Sequence, residues 1–337
     1  MSPPTAAPTW PIPDLDSAGV AIAGKVVVVG SFNVDHAWRC MELPAPGATL
    51  AGEYRSGPGG KGFNQAVAAA RAGAATTFVC ALGDDPGGEL ARSLASQDGI
   101  DLRAHRSGER TGTAGIFVDA RGRNSIVIGA GANADLSPAF VAAQHDAIAG
   151  ANVVLCQLES PLAAVIAALG AARASGAVAM LNPAPANATT SRELLSLCDV
   201  ATPNETEFAA LLAMHCGERI DSGQVATCDD AALHALARRL LPHGSVLVTL
   251  GGHGLFVSHP DDAMRGDRQS SYRLAAEPAR VVDTTGAGDA CNGALAASLA
   301  LRPDRPFREH AAFANTYAAR STEQAGAAPA MPRLTPR

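Results

Sequence analysis

The chain has 337 residues, of which 47% are hydrophobic and only 17% charged, so it has ample apolar material for a large core and is not an intrinsically disordered protein. Its net charge is −6 and no segment concentrates lysine and arginine, which argues against a nucleic-acid-binding protein. Seven cysteines in no metal-binding spacing favour free thiols in a reducing, cytoplasmic compartment.

The beginning of the chain differs in composition from the rest. Residues 1–24 are rich in proline and alanine and contain no lysine or arginine. They lack the basic start and apolar run of a secretory signal, and we expect a flexible leader. The apolar stretch 163–181 is interrupted by Arg173, Ser175 and Gly176, which predicts a helix followed by a strand rather than a membrane-spanning segment. No membrane association is expected.

After the leader, short apolar runs alternate with helical patterns. Predicted strands cover 25–30, 76–81, 153–157, 178–182, 200–202 and 246–250. Predicted helices cover 64–72, 88–97, 161–174, 205–214, 230–241 and 289–300. This alternation is typical of an α/β, doubly wound fold, in which helices cover both faces of a mainly parallel sheet.

Two segments, 36–58 and 107–128, break the alternation. The second contains two strand-like runs, 114–119 and 125–128, joined by a turn, which predicts a β-hairpin. We therefore expect the two segments to form a small β-sheet lid on one domain that covers 25–335.

The most informative motif is Asp283-Thr-Thr-Gly-Ala-Gly-Asp289, at the start of a predicted helix. The turn Gly286-Ala287-Gly288 directs backbone N–H groups and the positive end of the helix dipole towards one point, which is typical of an anion site. Asp289 is either a helix cap or the base that accepts a hydroxyl proton. An anion hole beside a carboxylate favours phosphoryl transfer to a hydroxyl.

A second glycine-rich run, 57–64, matches G-x-G-x-x-G but follows no predicted strand, so it does not indicate a dinucleotide-binding site. It does allow a ligand to approach the backbone closely, beside Lys61 and Asn64.

Other polar residues follow predicted strands, where open α/β sheets bind ligands. Asp35 is either a turn residue or a ligand contact, and Glu159 has the same ambiguity. Asn204 is a candidate helix cap. Such a cap does not require Glu207, whose carboxylate suits a hydrated Mg²⁺ ion.

Together these motifs resemble the ribokinase-like (PfkB) carbohydrate kinase family, from about Lys25 to Pro332. The segments that carry the resemblance are 30–36, 59–67, 157–161, 182–185, 202–207, 249–251 and 283–289. The run Gly59-Gly-Lys-Gly-Phe-Asn-Gln-Ala66 is closer to the ribose-phosphorylating members than to the fructokinases or nucleoside kinases.

The resemblance implies transfer of a phosphoryl group from ATP to D-ribose, which yields D-ribose 5-phosphate and ADP. It implies Asp289 as the base and Gly286, Ala287 and Gly288 as the anion hole. Implied sugar contacts are Asp35, Gly59, Gly60, Lys61, Asn64 and Glu159. Implied nucleotide contacts are Asn204, Thr249, Gly251, Gly288 and Asn315.

The resemblance also implies cations and a partner subunit. Glu207 is expected to hold Mg²⁺ through water, while Asp283 and Thr285 are expected to contribute to a K⁺ site with backbone groups around 321–330. The family's lid also forms a homodimer contact.

Two residues depart from the family pattern. Phe63 replaces a residue that is often small, and Trp38 is unusual just after the first sugar-binding segment. They either reshape the acceptor pocket or are packing changes in the lid, and packing is the favoured interpretation. The alternative functions are a kinase for deoxyribose or for a nucleoside such as inosine or adenosine, and a non-catalytic sugar sensor. The intact Asp289 and glycine turn argue against the sensor.

Overall fold

The computed structural model describes residues 24–334, so the predicted leader, apart from Gly24, and residue 335 lie outside the described residues. The strands are β1 Lys25–Val29, β2 Asn33–Arg39, β3 Glu53–Gly59, β4 Ala75–Leu82, β5 Asp101–Arg106, β6 Gly112–Val118, β7 Asn124–Gly129, β8 Val153–Cys156, β9 Val178–Leu181, β10 Val200–Ala201, β11 Ser245–Thr249, β12 Leu255–Ser258 and β13 Ser271–Leu274. The α-helices are α1 Lys61–Arg71, α2 Pro86–Gln97, α3 Pro138–Ala142, α4 His145–Ala149, α5 Leu162–Ser175, α6 Arg192–Ser196, α7 Glu205–Cys216, α8 Ser222–Val225, α9 Asp230–Leu240, α10 Ala287–Leu301 and α11 Phe307–Ser321. Short 3-10 helices lie at Gly131–Asp135, Gly251–His253 and Ala328–Ala330.

Nine strands form the main sheet, in the order β13-β12-β11-β10-β9-β8-β1-β4-β5. The seven strands from β11 to β5 are parallel, and β12 and β13 add an antiparallel edge. This arrangement confirms the predicted doubly wound, mainly parallel sheet.

Helices pack on both faces of the sheet because the central strands are apolar on both sides. In β1, Val26 and Val28 belong to the core cluster that includes α1, α2, α10 and α11. Val27 and Val29 belong to the opposite cluster, which includes helices α3 to α9. The alternation of side chains along one strand thus divides the core into two layers.

The two predicted excursions form a separate four-stranded sheet, in the order β3-β2-β6-β7. β6 and β7 are antiparallel, which confirms the predicted hairpin, whereas β2 and β6 run parallel. The strands begin at Asn33 and end at Gly129, slightly beyond the predicted limits. We call this sheet the lid.

Helices α1 and α10 pack unusually closely. A Cβ added at Gly293 of α10 would lie 2.5 Å from the Cβ of Ala68 and 2.9 Å from the backbone nitrogen of Ala69, so only glycine fits there. In the part of the chain that the structure describes, no helix is long and apolar enough to cross a membrane.

Candidate active site

The site lies at the carboxyl ends of the parallel strands, where each buried strand is followed by a polar residue. Ser31 comes two residues after β1, Gln157 directly follows β8, and Asn182 directly follows β9. Thr202 directly follows β10, and Thr249 is the last residue of β11. Parallel strands bring these positions to a single edge of the sheet, next to the lid and the start of α10.

Asp289 does not cap its helix. Helix α10 begins at Ala287, and Gly286 is its N-cap residue, with φ +77° in the left-handed region that favours glycine. The Asp289 side chain is 7% exposed and accepts hydrogen bonds from Asn64 Nδ2 and Gln65 Nε2, both at 2.9 Å. The structure therefore excludes the cap alternative and leaves a buried carboxylate in the first turn of α10.

Burial and the neighbouring polar groups have opposite effects on the pKa of Asp289. Burial raises the pKa of its carboxyl above the usual value, and the charge of Lys61 and the hydrogen bonds from Asn64 and Gln65 counteract part of that effect. The Oδ1 atom of Asn64 is buried and has no hydrogen-bond partner among the described residues. It is an acceptor that a ligand hydroxyl beside Asp289 would satisfy.

Three further predicted sugar contacts surround the same space. Glu159 Oε2 accepts hydrogen bonds from Ser31 Oγ at 2.6 Å and from the backbone N–H of Lys61 at 3.0 Å. Asp35, on lid strand β2, has a pKa raised to about 6 by burial and by the charges of Glu159 and Asp289. The pKa of the Lys61 ammonium is raised, because Asp289, Glu159 and Glu207 together outweigh its burial.

The glycines before α1 make room for this arrangement. Gly60, the N-cap residue of α1, has φ +88°, and a Cβ there would lie 2.8 Å from the backbone of Phe32 and Asn33. A Cβ at Gly59 would overlap the carboxylate of Asp35.

Beyond Asp289 lies a cavity of about 170 Å³, next to the turn Gly286–Gly288. Its other lining residues are Lys61, Asn182, Ala184, Thr202, Asn204, Glu207, Thr249, Thr284, Asp289 and Asn292. The open backbone at the N-terminus of α10 faces this space, which suits it to hold a phosphate group.

Asn204 and Glu207 form a full capping box at the start of α7. The side chain of Asn204 accepts from Glu207 N at 2.8 Å, and Glu207 Oε2 accepts from Asn204 N at 2.9 Å. The expectation that the cap does not use Glu207 is therefore wrong. Glu207 still lines the cavity, and burial raises its pKa in spite of hydrogen bonding to Asn204 and the charge of Lys61.

The predicted nucleotide contacts are not all brought together. Thr249 lines the cavity and pairs with Asn204 in an isolated bridge. Gly251 starts a 3-10 helix, has φ +50° and lies near Glu205. Asn315, in α11, is 8% exposed and donates to the carbonyl of Ala275 at 2.7 Å. Neither Gly251 nor Asn315 lines the cavity.

The loop before α10 meets the segment after α11. Asp283 Oδ1 accepts from the N–H and hydroxyl of Thr285 at 2.9 and 2.6 Å, and Asp283 Oδ2 accepts from Gly326 N at 2.9 Å. Burial opposes ionisation of Asp283, but these hydrogen bonds outweigh it and its pKa is lowered. The ionised carboxylate of Asp283 thus bonds to both the loop before α10 and the segment after α11.

The two unusual residues pack away from the cavity. Phe63 is 1% exposed, and its ring contacts those of Phe32 and Phe78, with centroids 5.0 and 5.9 Å apart. Trp38 stacks on Phe117 at 5.3 Å, on the lid face opposite Asp35, since residues an odd number apart in a strand point to opposite faces. Trp38 is a lid packing residue as predicted, whereas Phe63 packs in the main core.

Several polar residues of the site were not predicted. Gln65 joins Asp289 to Asn182, and Asn182 donates to the carbonyl of Thr202 at 2.9 Å. Thr202 donates to Asn292, whose Nδ2 donates to the carbonyl of Gly288 at 2.8 Å. The available signal was an amide or hydroxyl directly after an apolar strand, as at Asn182 and Thr202.

The arrangement combines a buried carboxylate, an acceptor oxygen without a partner among the described residues, and the open backbone at a helix N-terminus around one cavity. A hydroxyl held by Asn64 would lose its proton to Asp289 while the N–H groups of α10 hold a transferred anion. This geometry suits phosphoryl transfer to an alcohol.

Comparisons with known proteins agree with the geometry. The sequence pattern of the pfkB family carbohydrate kinases matches residues 23–334. A ribokinase of Haemophilus influenzae is 37% identical over 310 residues, which cover 91% of this chain and 95% of that protein.

Two further similar proteins extend the comparison. The bifunctional ribokinase/ribose-5-phosphate isomerase A of Fructilactobacillus sanfranciscensis is 40% identical over 283 residues, which cover 82% of this chain but 49% of that longer protein. The structure of Arabidopsis thaliana ribokinase complexed with ribose and ATP is similar with a TM-score of 0.77 at 30% identity, over 93% of this chain and 97% of that one. The chain therefore belongs to the pfkB family of carbohydrate kinases and has their ribokinase-like fold.

Proposed function

We propose that this protein is a kinase that transfers the γ-phosphoryl group of ATP to the terminal hydroxyl of D-ribose, giving D-ribose 5-phosphate and ADP. The observation that carries the proposal is the position of Asp289. Its carboxylate accepts a hydrogen bond from Asn64, whose Oδ1 is unpaired among the described residues, and it lines the cavity beside Gly286–Gly288.

In the proposed reaction, Asp35, Lys61, Asn64 and Glu159 bind and orient the sugar, with Gly59 and Gly60 allowing close approach of the backbone. Asp289 accepts the hydroxyl proton as the oxygen attacks phosphorus. The N–H groups of the turn Gly286–Gly288 stabilise the charge on the transferred group. We assign Asn204, Thr249, Gly251 and Asn315 to the nucleotide, with Thr249 and Asn204 beside the phosphates.

Ribose is favoured over a nucleoside for two reasons. The similar proteins described above are ribokinases by name, and one of them holds ribose and ATP. In addition, Phe63 and Trp38 pack away from the cavity, so neither supplies an aromatic surface for a nucleoside base at the acceptor.

The donor set fits a hydrated Mg²⁺ ion brought in with ATP. Mg²⁺ usually keeps several waters and needs only one or two carboxylates besides phosphate oxygens. Glu207 is a buried carboxylate on the cavity wall, and both its oxygens are already held by Asn204, which suits contact through water. When bound, the ion would supply positive charge to offset that of the ATP phosphates.

We also propose a K⁺ site at Asp283 and Thr285, completed by backbone carbonyls of the segment 321–330. The lowered pKa of Asp283 keeps its charge available for a cation. The hydrogen bond from Gly326 brings the two stretches of backbone together. Replacement of Asp283 by alanine should abolish activation by K⁺ over Na⁺, and equal rates of the unaltered enzyme in the two salts would contradict the site.

The lid supports a proposal of homodimerisation. On the lid face opposite Asp35, the apolar side chains of Tyr54 and Val127 are 50% and 68% exposed. A surface of this kind on a small sheet suits a second copy of the lid. A sedimentation experiment that finds only monomer would contradict it. The seven cysteines are free thiols, which supports a cytoplasmic location.

The test of the function is ADP release with Mg²⁺-ATP and K⁺ across ribose, 2-deoxyribose, fructose, inosine and adenosine. We expect kcat/KM for ribose to exceed the others by roughly tenfold or more, which corresponds to about 1.4 kcal/mol of transition-state binding. A higher kcat/KM for a nucleoside than for ribose would contradict the assignment of ribose as the substrate. Ribose binding without turnover on any acceptor would indicate a sugar sensor instead.

A further inference from the structure

Gln65 is the most tightly held polar side chain of the site, although it contacts no predicted ligand. It is fully buried in α1, one residue after Asn64. Its Nε2 donates to Asp289 Oδ1 at 2.9 Å and to Asn182 Oδ1 at 3.0 Å, and its Oε1 accepts from Gln157 Nε2 at 2.6 Å. Both amide hydrogens and the amide oxygen are therefore in use.

The chemistry of the partners fixes the orientation of the amide. An ionised Asp289 can only accept, so the Gln65 atom beside it must be the nitrogen. The Gln65 oxygen then faces Gln157, which must present its own nitrogen. A flipped Gln65 amide would place an oxygen against Asp289 and against Asn182 Oδ1, whose own orientation is fixed by the bond from Asn182 Nδ2 to Thr202 O. These two partners therefore exclude the flip, while Gln157 holds the amide oxygen in place.

The arrangement has an energetic cost. With its nitrogen turned to Gln65, Gln157 leaves its Oε1 buried and without a partner among the described residues. A buried acceptor of this kind is destabilising, because it has lost its hydrogen bonds to water without gaining a partner. Apolar residues in these positions would avoid that cost, so stability alone does not account for the two glutamines.

We propose that Gln65, held in one orientation by Gln157 and Asn182, is a positioning residue for the base Asp289. Gln65 fixes one carboxylate oxygen and Asn64 fixes the other, so the carboxylate cannot rotate. Its remaining lone pairs then face the acceptor hydroxyl, and its negative charge is stabilised by two neutral donors. The inference rests on the proposed kinase function, because it concerns the base of that reaction.

The experiment measures kcat, the KM of each substrate and the pH dependence of kcat for four variants. Gln65→Met keeps the approximate shape and removes the donor, while Gln65→Glu places a carboxylate against Asp289. Gln157→Met removes the hydrogen bond to the amide oxygen of Gln65 and leaves Gln65 itself unchanged. The matched control is Gln144→Met, since Gln144 is also a buried glutamine, but it lies between α3 and α4 and its side chain bonds to the carbonyl of Phe140 and to Arg103.

We expect Gln65→Met to lower kcat roughly 10- to 100-fold with the KM of ATP changed by less than about threefold. The acidic limb of the kcat profile should move to higher pH, so that activity partly returns in alkaline buffer, because Asp289 has lost a donor that favours its charged form. The movement should be larger in Gln65→Glu and smaller, in the same direction, in Gln157→Met.

An unmoved acidic limb in both Gln65→Met and Gln157→Met would overturn the inference, as would an equal loss of kcat in Gln144→Met. If thermal melts show that the Gln65 variants fold poorly, the acidic limb of the kcat profile of Gln157→Met is the deciding measurement. An unaltered protein that phosphorylates no acceptor would contradict the proposed function, whereas an active protein with unaffected variants would contradict this inference only.

Discussion

Gly59 leaves the space that the carboxylate of Asp35 occupies. The two residues lie on paired lid strands, and a Cβ added at Gly59 would overlap all three carboxylate atoms of Asp35. Gly57 lies on the same strand, and a Cβ there would meet nothing within 4 Å. The strand therefore has two glycines, and only Gly59 is needed to leave room for the Asp35 carboxylate.

Replacement of Gly59 by alanine should displace Asp35 and raise the KM for ribose by roughly tenfold or more, with a smaller fall in kcat. Gly57→Ala is the matched control and should leave the KM for ribose within about twofold, as expected at a site with free space. Steady-state kinetics with saturating ATP measure both. Equal effects of the two substitutions would show that lid flexibility, rather than Asp35, is responsible.

The KM for ribose should depend on the ionisation of Asp35. Burial and the charges of Glu159 and Asp289 raise the pKa of its carboxyl to about 6, and protonation turns one of its two acceptor oxygens into a donor. As pH falls below 6, the KM for ribose should rise towards about tenfold per pH unit. Asp35→Asn should weaken ribose binding at every pH and remove the pH dependence of the KM. A KM for ribose that stays constant down to pH 5 in the unaltered enzyme would contradict the dependence on Asp35.

Asp289→Asn should lower kcat by about 10²–10⁴-fold, because the hydroxyl loses its proton acceptor. The KM or Kd of ATP should change little, since the cavity and the turn Gly286–Gly288 remain. Isothermal titration with ATP and single-turnover kinetics measure the two effects separately. Near-normal turnover would remove Asp289 from the role of base.

Glu207 has a structural and a proposed metal-related role that two substitutions separate. Glu207→Gln retains an oxygen for the hydrogen bond from Asn204 N and so should keep the capping box, but it removes the charge and the acceptor that faces Asn204 Nδ2. We expect it to raise the Mg²⁺ concentration needed for half-maximal rate, while the free energy of unfolding remains within about 0.5 kcal/mol of that of the parent. Glu207→Ala should lose both the capping role and the metal-related role, and its free energy of unfolding should fall by about 1 kcal/mol. An unchanged Mg²⁺ requirement in Glu207→Gln would mean that Glu207 has the capping role alone.

Acid should destabilise the fold partly through His310, which is 1% exposed between α10 and α11. Its Nε2 faces the carbonyl of Arg305 at 3.1 Å, and its Nδ1 faces Ser298 Oγ at 2.9 Å, which suits the neutral ring. Burial, followed by the charge of Arg302, lowers its pKa to about 4. Between about pH 6.5 and 4 the unfolded chain binds the extra proton, so this part of the stability is present at neutral pH and lost as pH falls.

The contribution of His310 amounts to roughly 3 kcal/mol across that window. Urea unfolding at several pH values should show a shallower acid loss in His310→Gln than in the parent. The exposed His243→Gln serves as a control and should leave the slope unchanged. An identical slope in His310→Gln would show that other groups govern acid unfolding.

The sequence was sufficient for the features that depend on local pattern. The apolar run at β1, the βα alternation and the hairpin of β6 and β7 all follow from the spacing of hydrophobic residues and turns. Asp289 and its glycine turn were also identified, because an anion-binding helix start has a distinctive residue order.

Features that depend on packing between distant segments were not predicted. The edge strand β5 carries Asp101, Arg103 and Arg106 and reads as a polar loop, as protected edges often do. Helix α11 has buried His310 and Asn315 on its apolar face, which breaks the periodic signal. The partners of Gln65 are more than 90 residues away along the chain, and no local spacing reports such contacts.

The close approach of α1 and α10 at Gly293 sets the distance between the donors Asn64 and Gln65 and the acceptor Asp289, since the three residues belong to these two helices. A larger side chain at Gly293 would separate the helices without touching any substrate. Substitution of Gly293 is therefore expected to lower thermal stability and turnover together, at a position that a substrate-based choice of mutations would leave out.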